Sequence, residues 1–200
     1  MSVKFQYNKT SLQTLEKQLK VRVKALPTIK NKEAALRIEV KKAKDQANAL
    51  DQKLTKAMNK YDTMASLWNE FDASLISVSD VHLSVKKIAG VRTPVLDGID
   101  FELAKFSVFT APKWFLDGVA IVKEMVTIAI ERELFFRKME LLNYARKKTT
   151  QKVNLFEKVQ IPGFEDAIRK IKRFMEDEDN LSKSAQKIVK TRQQQAEVSK

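Results

Sequence analysis

This 200-residue chain has a single histidine and no cysteine, and the spacing of its other reactive side chains does not assemble a catalytic set. The single histidine, His82, lies between Val81 and Leu83 in an alternating run, which places it on the polar, solvent-facing side of a strand. An isolated histidine on a polar face is far more often a solvent-facing residue than a ligand or base, and no role is assigned to it. The consecutive carboxylates Glu176, Asp177, Glu178 and Asp179 are a candidate for a hard cation. A calcium loop, however, needs oxygen donors at alternate positions, a glycine and a distal glutamate. Adjacent carboxylates on a helix point in different directions, so a solvated face balanced by Lys183 and Lys187 is expected instead. Among the 4 glycines none has the spacing that lets backbone amides cradle a phosphate before Lys and Ser or Thr. The absence of cysteine excludes disulfides, thiolate zinc sites and cysteine nucleophiles, and fits a reducing compartment. Asn8-Lys9-Thr10 and Asn180-Leu181-Ser182 match the glycosylation pattern, but a cytosolic chain is not modified there. No catalytic residue, cofactor or metal is expected, and the remaining chemistry is that of contact.

Charge is the first such chemistry. The formal net charge is +13, divided as +8 over residues 1–70, −1 over 71–117, +1 over 118–146 and +5 over 147–200. The two ends carry it. Lys41, Lys42 and Lys44, or Arg146, Lys147 and Lys148, can neutralise phosphates, which keeps a nonspecific nucleic-acid-binding basic coiled coil as an alternative. Acidic residues are interspersed along both arms, and neither a base-stacking platform nor helix-turn-helix spacing is present, so specific nucleic-acid recognition is not expected. An acidic protein sleeve would suit a cationic arm equally well.

The elements that must position these contacts are mainly helical. The apolar repeat Leu12, Leu15, Leu19, Arg22, Leu26, Ile29, Glu33, Leu36, Val40, Ala43, Ala47, Leu50, Leu54, Ala57, Tyr61, Met64 and Trp68 keeps a strict seven-residue period, with only Arg22 and Glu33 off type. Such a seam predicts a left-handed coiled coil. Gly90, Pro94, Gly98, Pro112 and Gly118 crowd into one turning region, in which Val81, Leu83 and Val85, then Ile99, Phe101 and Leu103, alternate with polar residues. A β-hairpin near 81–103 with its turn at 90–94 is expected, followed by a helix starting near Trp114 or Gly118. The chain therefore reads as one elongated unit: an N-terminal coiled-coil arm over 8–70, a central region over 71–117 and a C-terminal return arm over 118–195. The arms pair antiparallel, in a register that puts Pro27 level with Pro162 and Gly163. A proline inside a helix costs about 3 kcal/mol, and two at one height suggest a shared bend of the arms at Pro27, Pro162 and Gly163.

The stretch 119–142 has apolar residues around more of its circumference than one helix can hide, so a further surface must cover it. One reading is that the hairpin and its flanking loop, with Phe101, Phe106, Phe109, Trp114 and Phe115, fold back onto it. The other is a second protein clamped to the rod. Lys123, Glu124, Glu131 and Arg132 interrupt the stretch and rule it out as a membrane span of roughly 20 residues. The first ten residues lack the pattern of a signal peptide, which fits a cytosolic chain.

Residues Lys152-Val153-Asn154-Leu155-Phe156-Glu157-Lys158-Val159-Gln160-Ile161-Pro162, followed by Glu165, Ile168 and Ile171, resemble the return-arm signature of the D subunits of V-type and A-type ATPases. Ile88-Ala89-Gly90-Val91-Arg92-Thr93-Pro94 resembles that family's hairpin turn, and Lys30-Asn31-Lys32 with Leu36 a segment of its first arm. The resemblance implies a non-catalytic rotor axle. Its paired helices would stand inside the hexamer of A and B subunits, and its other end would bind the F subunit and dock on the C (or d) subunit above the membrane ring. That is a peripheral place on the cytoplasmic face, where the axle would pass torque between the ring and the hexamer. On this resemblance Arg146, Lys147, Lys148 and Lys152 are expected in the charged collar where rotor meets stator, and Ile121, Met125, Ile128, Phe135, Met139 and Leu142 on the face that meets the F subunit. The intrachain seam competes for the latter residues. A free-standing coiled-coil scaffold or tether is the alternative without a defined partner.

Overall fold

The structure is a computed structural model that describes residues 4–62, 68–105 and 112–198. Helix α1 (Lys9–Asp62) leads through a short turn (Ala73–Leu75) into strands β1 (Ile76–Ile88) and β2 (Val91–Leu103). Helix α2 (Phe115–Asn154) follows, then a π-helical turn (Leu155–Gln160) and helix α3 (Ile161–Val198). Two long helical arms with an antiparallel hairpin between them thus bear out the expected fold class. The chain divides into two compact units, one of Met1–Asn31 with Thr149–Lys200 and one of Lys32–Lys148.

In the first unit Asn8 caps α1, its Oδ1 accepting the Ser11 amide at 2.7 Å and so satisfying one of the free N–H groups of the first turn. Leu15 packs into a core with Phe164, Ala167, Ile168 and Ile171, edged by Phe5, Leu12, Leu19 and Met175. Glu16 pairs with Lys172 and Lys30 with Glu157, so the helices run antiparallel. Arg22, off type in the seam, is accommodated chemically. Its guanidinium lies 4.5 Å from the centre of the Phe164 ring, and its Nε donates to Gln160 Oε1 at 2.7 Å. Its stem fills the apolar layer while its head is satisfied at the layer's edge.

The π turn has an identifiable cause. Ile161 N–H donates to the Phe156 carbonyl, five residues back, and the next residue is Pro162, which has no N–H and clashes with a carbonyl four residues back in an α ladder. Widening the ladder before the proline relieves that clash. Pro27 lies within α1 between Arg22 and Lys30, whose partners are Gln160 and Glu157. It therefore stands alongside the π turn, slightly earlier along the return arm than the Pro162 and Gly163 level expected from sequence.

In the second unit the seam is realised as expected. Leu36, Ala43 and Ala47 are buried, and every other described seam position there is at least half-buried; Met64 lies outside the described residues. Glu33, the other off-type position, accepts from Arg37 one turn on at 2.9 Å. The hairpin differs from the sequence expectation in its turn. Ala89 (φ 48°) and Gly90 (φ 83°) form a two-residue turn with both residues left-handed, the geometry that matches strand twist. The strands are accordingly 13 residues each, and Pro94 is not in the turn but in β2, opposite Val85. A two-stranded sheet tolerates this because each strand has a free edge where no N–H is needed. Strand β2 is the inner one. Thr93 is fully buried and donates its hydroxyl to the Lys86 carbonyl, Phe101 lies beside Lys123, and Pro94, Val95 and Leu96 face Glu131, Leu134, Phe135 and Lys138 across a groove. The hairpin thus folds back over α2, as one of the two sequence readings required; Phe106 and Phe109 lie outside the described residues.

Trp68, Phe71, Trp114 and Phe115 pack edge-on and tilted with centroids 5.0–5.8 Å apart. Gly118 permits this packing, since a Cβ there would lie 3.0 Å from Trp114 and 3.1 Å from Phe71.

Candidate functional site

The side chains suited to contact are of two kinds, basic and apolar. Of the basic residues, Arg146 is half-buried on α2 and donates from Nε and Nη2 to Asn143 Oδ1 at 3.2 and 3.0 Å. Lys147 and Lys148 are exposed immediately after it, with the Lys148 ammonium 5.6 Å from the centre of the Tyr144 ring. These three belong to the unit that carries the hairpin. Lys152 belongs to the other, where it is exposed with its ammonium 6.0 Å from the Phe156 ring. Lys148 and Lys152 each hold the ammonium over an aromatic ring at an exposed position, where the charge is available to an acidic surface.

The apolar candidates divide by burial. Leu142 (0% exposed) and Ile128 (5%) are part of the chain's own core, so the intrachain seam has taken them. Ile121, Met125, Phe135 and Met139 are half-buried. Phe135 lines the groove under β2, with Glu131 and Lys138 on its rim. Met125 lines a separate hollow with Met58, Tyr61, Trp68 and Val122. Beyond these, Leu116, Leu141 and Tyr144 stay largely open on α2. Helix α2 is therefore an apolar surface only partly covered by its own chain.

Among the described residues no group of His, Asp or Glu is placed to hold a metal ion, and no helix is long and apolar enough to cross a membrane. The acidic run 176–179 is exposed along α3. His82 is solvent-facing, as its alternation predicted, but it is not alone. Its Nε2 donates to Asp100 Oδ2 at 2.8 Å across the strands, with Asp80 at 3.6 Å from Nδ1. The sequence concealed this pair because register shifts between Val78 and Asp80, and between His82 and Leu83, set which residues face each other. The Asp100 hydrogen bond, the charge of Asp100 and then that of Asp80 raise the His82 pKa above 6.5. A raised folded pKa means that the cross-strand contact contributes fully below the unfolded value and fades as pH rises through the folded one. An NMR titration of the lone imidazole should have its midpoint above 6.5, and Asp100→Asn should bring it back down. An unchanged midpoint in Asp100→Asn would show that the pair does not form.

Comparison with known proteins agrees with these features. The family model for the D subunit of ATP synthase matches residues 11–191. The V-type ATP synthase D subunit of Borreliella burgdorferi is 30% identical over 191 residues, 94% of each chain. Its counterpart in Chlamydia muridarum is 28% identical over 200 residues, 98% of each. The match runs through both helical arms and the hairpin between them, and the chain belongs to the family of ATP synthase D subunits.

Proposed function

We propose that the chain is the central-stalk rotor of a V-type ATPase or ATP synthase, a non-catalytic component that carries torque between the hexamer of A and B subunits and the membrane ring. The observation that carries this is the family match over residues 11–191 in a chain whose α1 seam is buried or half-buried at every described position. A helix whose seam is packed without interruption resists twisting better than an unpartnered one, and torque needs that stiffness. Half-buried Ile121, Met125, Phe135 and Met139 form the proposed contact for the F subunit, since a surface of this kind is covered by a partner rather than left to water. Exposed Lys147, Lys148 and Lys152, with Arg146 beside them, are proposed to face the acidic lining of the stator, where charge guides without locking. The C (or d) subunit is the proposed partner toward the membrane ring, at the cytoplasmic face.

A cysteine cross-link tests the rotor reading cleanly because the chain has none of its own. Lys147→Cys in the reconstituted complex, oxidised to a cysteine on an A or B subunit, should stop ATP-driven turnover, and reduction should restore it. Turnover that continues while the cross-link is intact would overturn rotation and leave a static tether. Pull-down with the full chain should recover A, B and F subunits; recovery of nucleic acid instead would favour the basic coiled-coil alternative.

A further inference from the structure

The end of α3 packs against no other helix or strand among the described residues. The packed part of the first unit finishes where Tyr7 meets Phe174, ring centroids 4.9 Å apart, and Met175 closes the core. From 176 to 195 every residue is exposed. Leu181 (72% exposed), Ile188 (55%) and Val189 (54%) are nonetheless apolar, and with Ala185 they fall at i, i+4, i+7 and i+8, one side of the helix. A lone helix of about this length is marginal in water, and its stability comes from packing such a stripe.

The charges state what fits there. One turn before Leu181 lies the acidic block Glu176, Asp177, Glu178 and Asp179; around Ile188 lies the basic set Lys183, Lys187, Lys190 and Arg192. A parallel pair of these segments would set like charge against like. An antiparallel pair with Leu181 opposite Ile188 sets Asp177 opposite Arg192 and Asp179 opposite Lys190, twice by symmetry, with Ala185 near the two-fold axis. The segment is complementary to itself in that direction alone.

We propose that two copies of the chain associate through this segment of α3, antiparallel, with Leu181 of each copy against Ile188 of the other. The pairing covers the apolar stripe of the unassembled chain and is independent of whether the chain acts as a rotor.

Sedimentation equilibrium of the full chain at low salt tests it. The wild type should approach twice its monomer mass with rising concentration, and added salt should weaken the dimer. Asp177→Lys with Glu178→Lys, and separately Lys190→Glu with Arg192→Glu, should each raise the dimer Kd about tenfold or more, since attraction becomes repulsion at both ends. A mixture of the two variants should restore association, because each supplies the charge that the other lacks. All four positions are exposed, so helix content by circular dichroism should match the wild type. Leu181→Cys mixed with Ile188→Cys should give a disulfide-linked pair readily on oxidation, and Leu181→Cys alone should not. A wild type that stays monomeric, variants that dimerise as the wild type does, or rapid cross-linking of Leu181→Cys with itself would each overturn the proposal.

Discussion

Ile171→Ala is expected to destabilise the first unit by about 2–4 kcal/mol, the usual cost of removing buried aliphatic atoms and leaving part of the space unfilled. Ile171 is 0% exposed and sits among Leu15, Phe164, Ala167 and Ile168, the core through which the two helices of that unit meet. Losing the layer should loosen the helices together, so amide exchange should rise on both α1 before Asn31 and α3, not on one alone. Val21→Ala provides the contrast. Val21 is as apolar and lies in the same unit, but it is 65% exposed, and its loss should cost no more than about 0.5 kcal/mol. Denaturant unfolding of the two variants separates burial from hydrophobicity as the source of stability. Equal losses would mean that the helices do not pack through this face.

How legible the molecule is in its sequence depends on whether a feature is periodic. The α1 seam can be read position by position because a heptad repeat leaves one signature over many turns, and even Arg22 and Glu33 fall on the packed side as the period demands. Arg22 stands out as an exception in the sequence without its solution, which is a Phe164 ring far along the chain. The hairpin is legible in existence and not in its turn. Pro94 draws the expected turn toward itself, whereas the left-handed pair Ala89 and Gly90 makes it, one member of which carries no composition signal. The π turn is hidden for a different reason. Pro162 announces a disturbance of the helix, but whether the ladder kinks or widens is a matter of local backbone bonding that spacing does not encode. The open apolar surface on α2 is the least legible part. Ile128 and Leu142 are as apolar as Ile121 and Met139, and only three-dimensional burial separates those used inside the chain from those left accessible.

The same dependence on burial gives the largest expected effect in the second unit. Ala43 is 1% exposed in the α1 seam, so a carboxylate placed there is buried on a side chain too short to bring its charge to water. Ala43→Asp should lower stability by about 3 kcal/mol or more, the range for a buried charge without a compensating partner. The sign of its pH dependence follows from the cause. Burial raises the pKa of the introduced carboxyl above its unfolded value of about 3.9, so the folded state binds the proton more tightly and the deficit shrinks as pH falls toward that value. Ala49→Asp makes the same chemical change at an exposed position of the same helix and should cost only about 0.5 kcal/mol, with little pH dependence. Thermal unfolding of both variants at neutral and mildly acidic pH distinguishes the cases. A deficit in Ala43→Asp that is as small as in Ala49→Asp, or that deepens with acid, would show that the seam is wet. A wet seam cannot hold two helices in register against a torque, so this substitution bears on the rotor reading as well as on the fold.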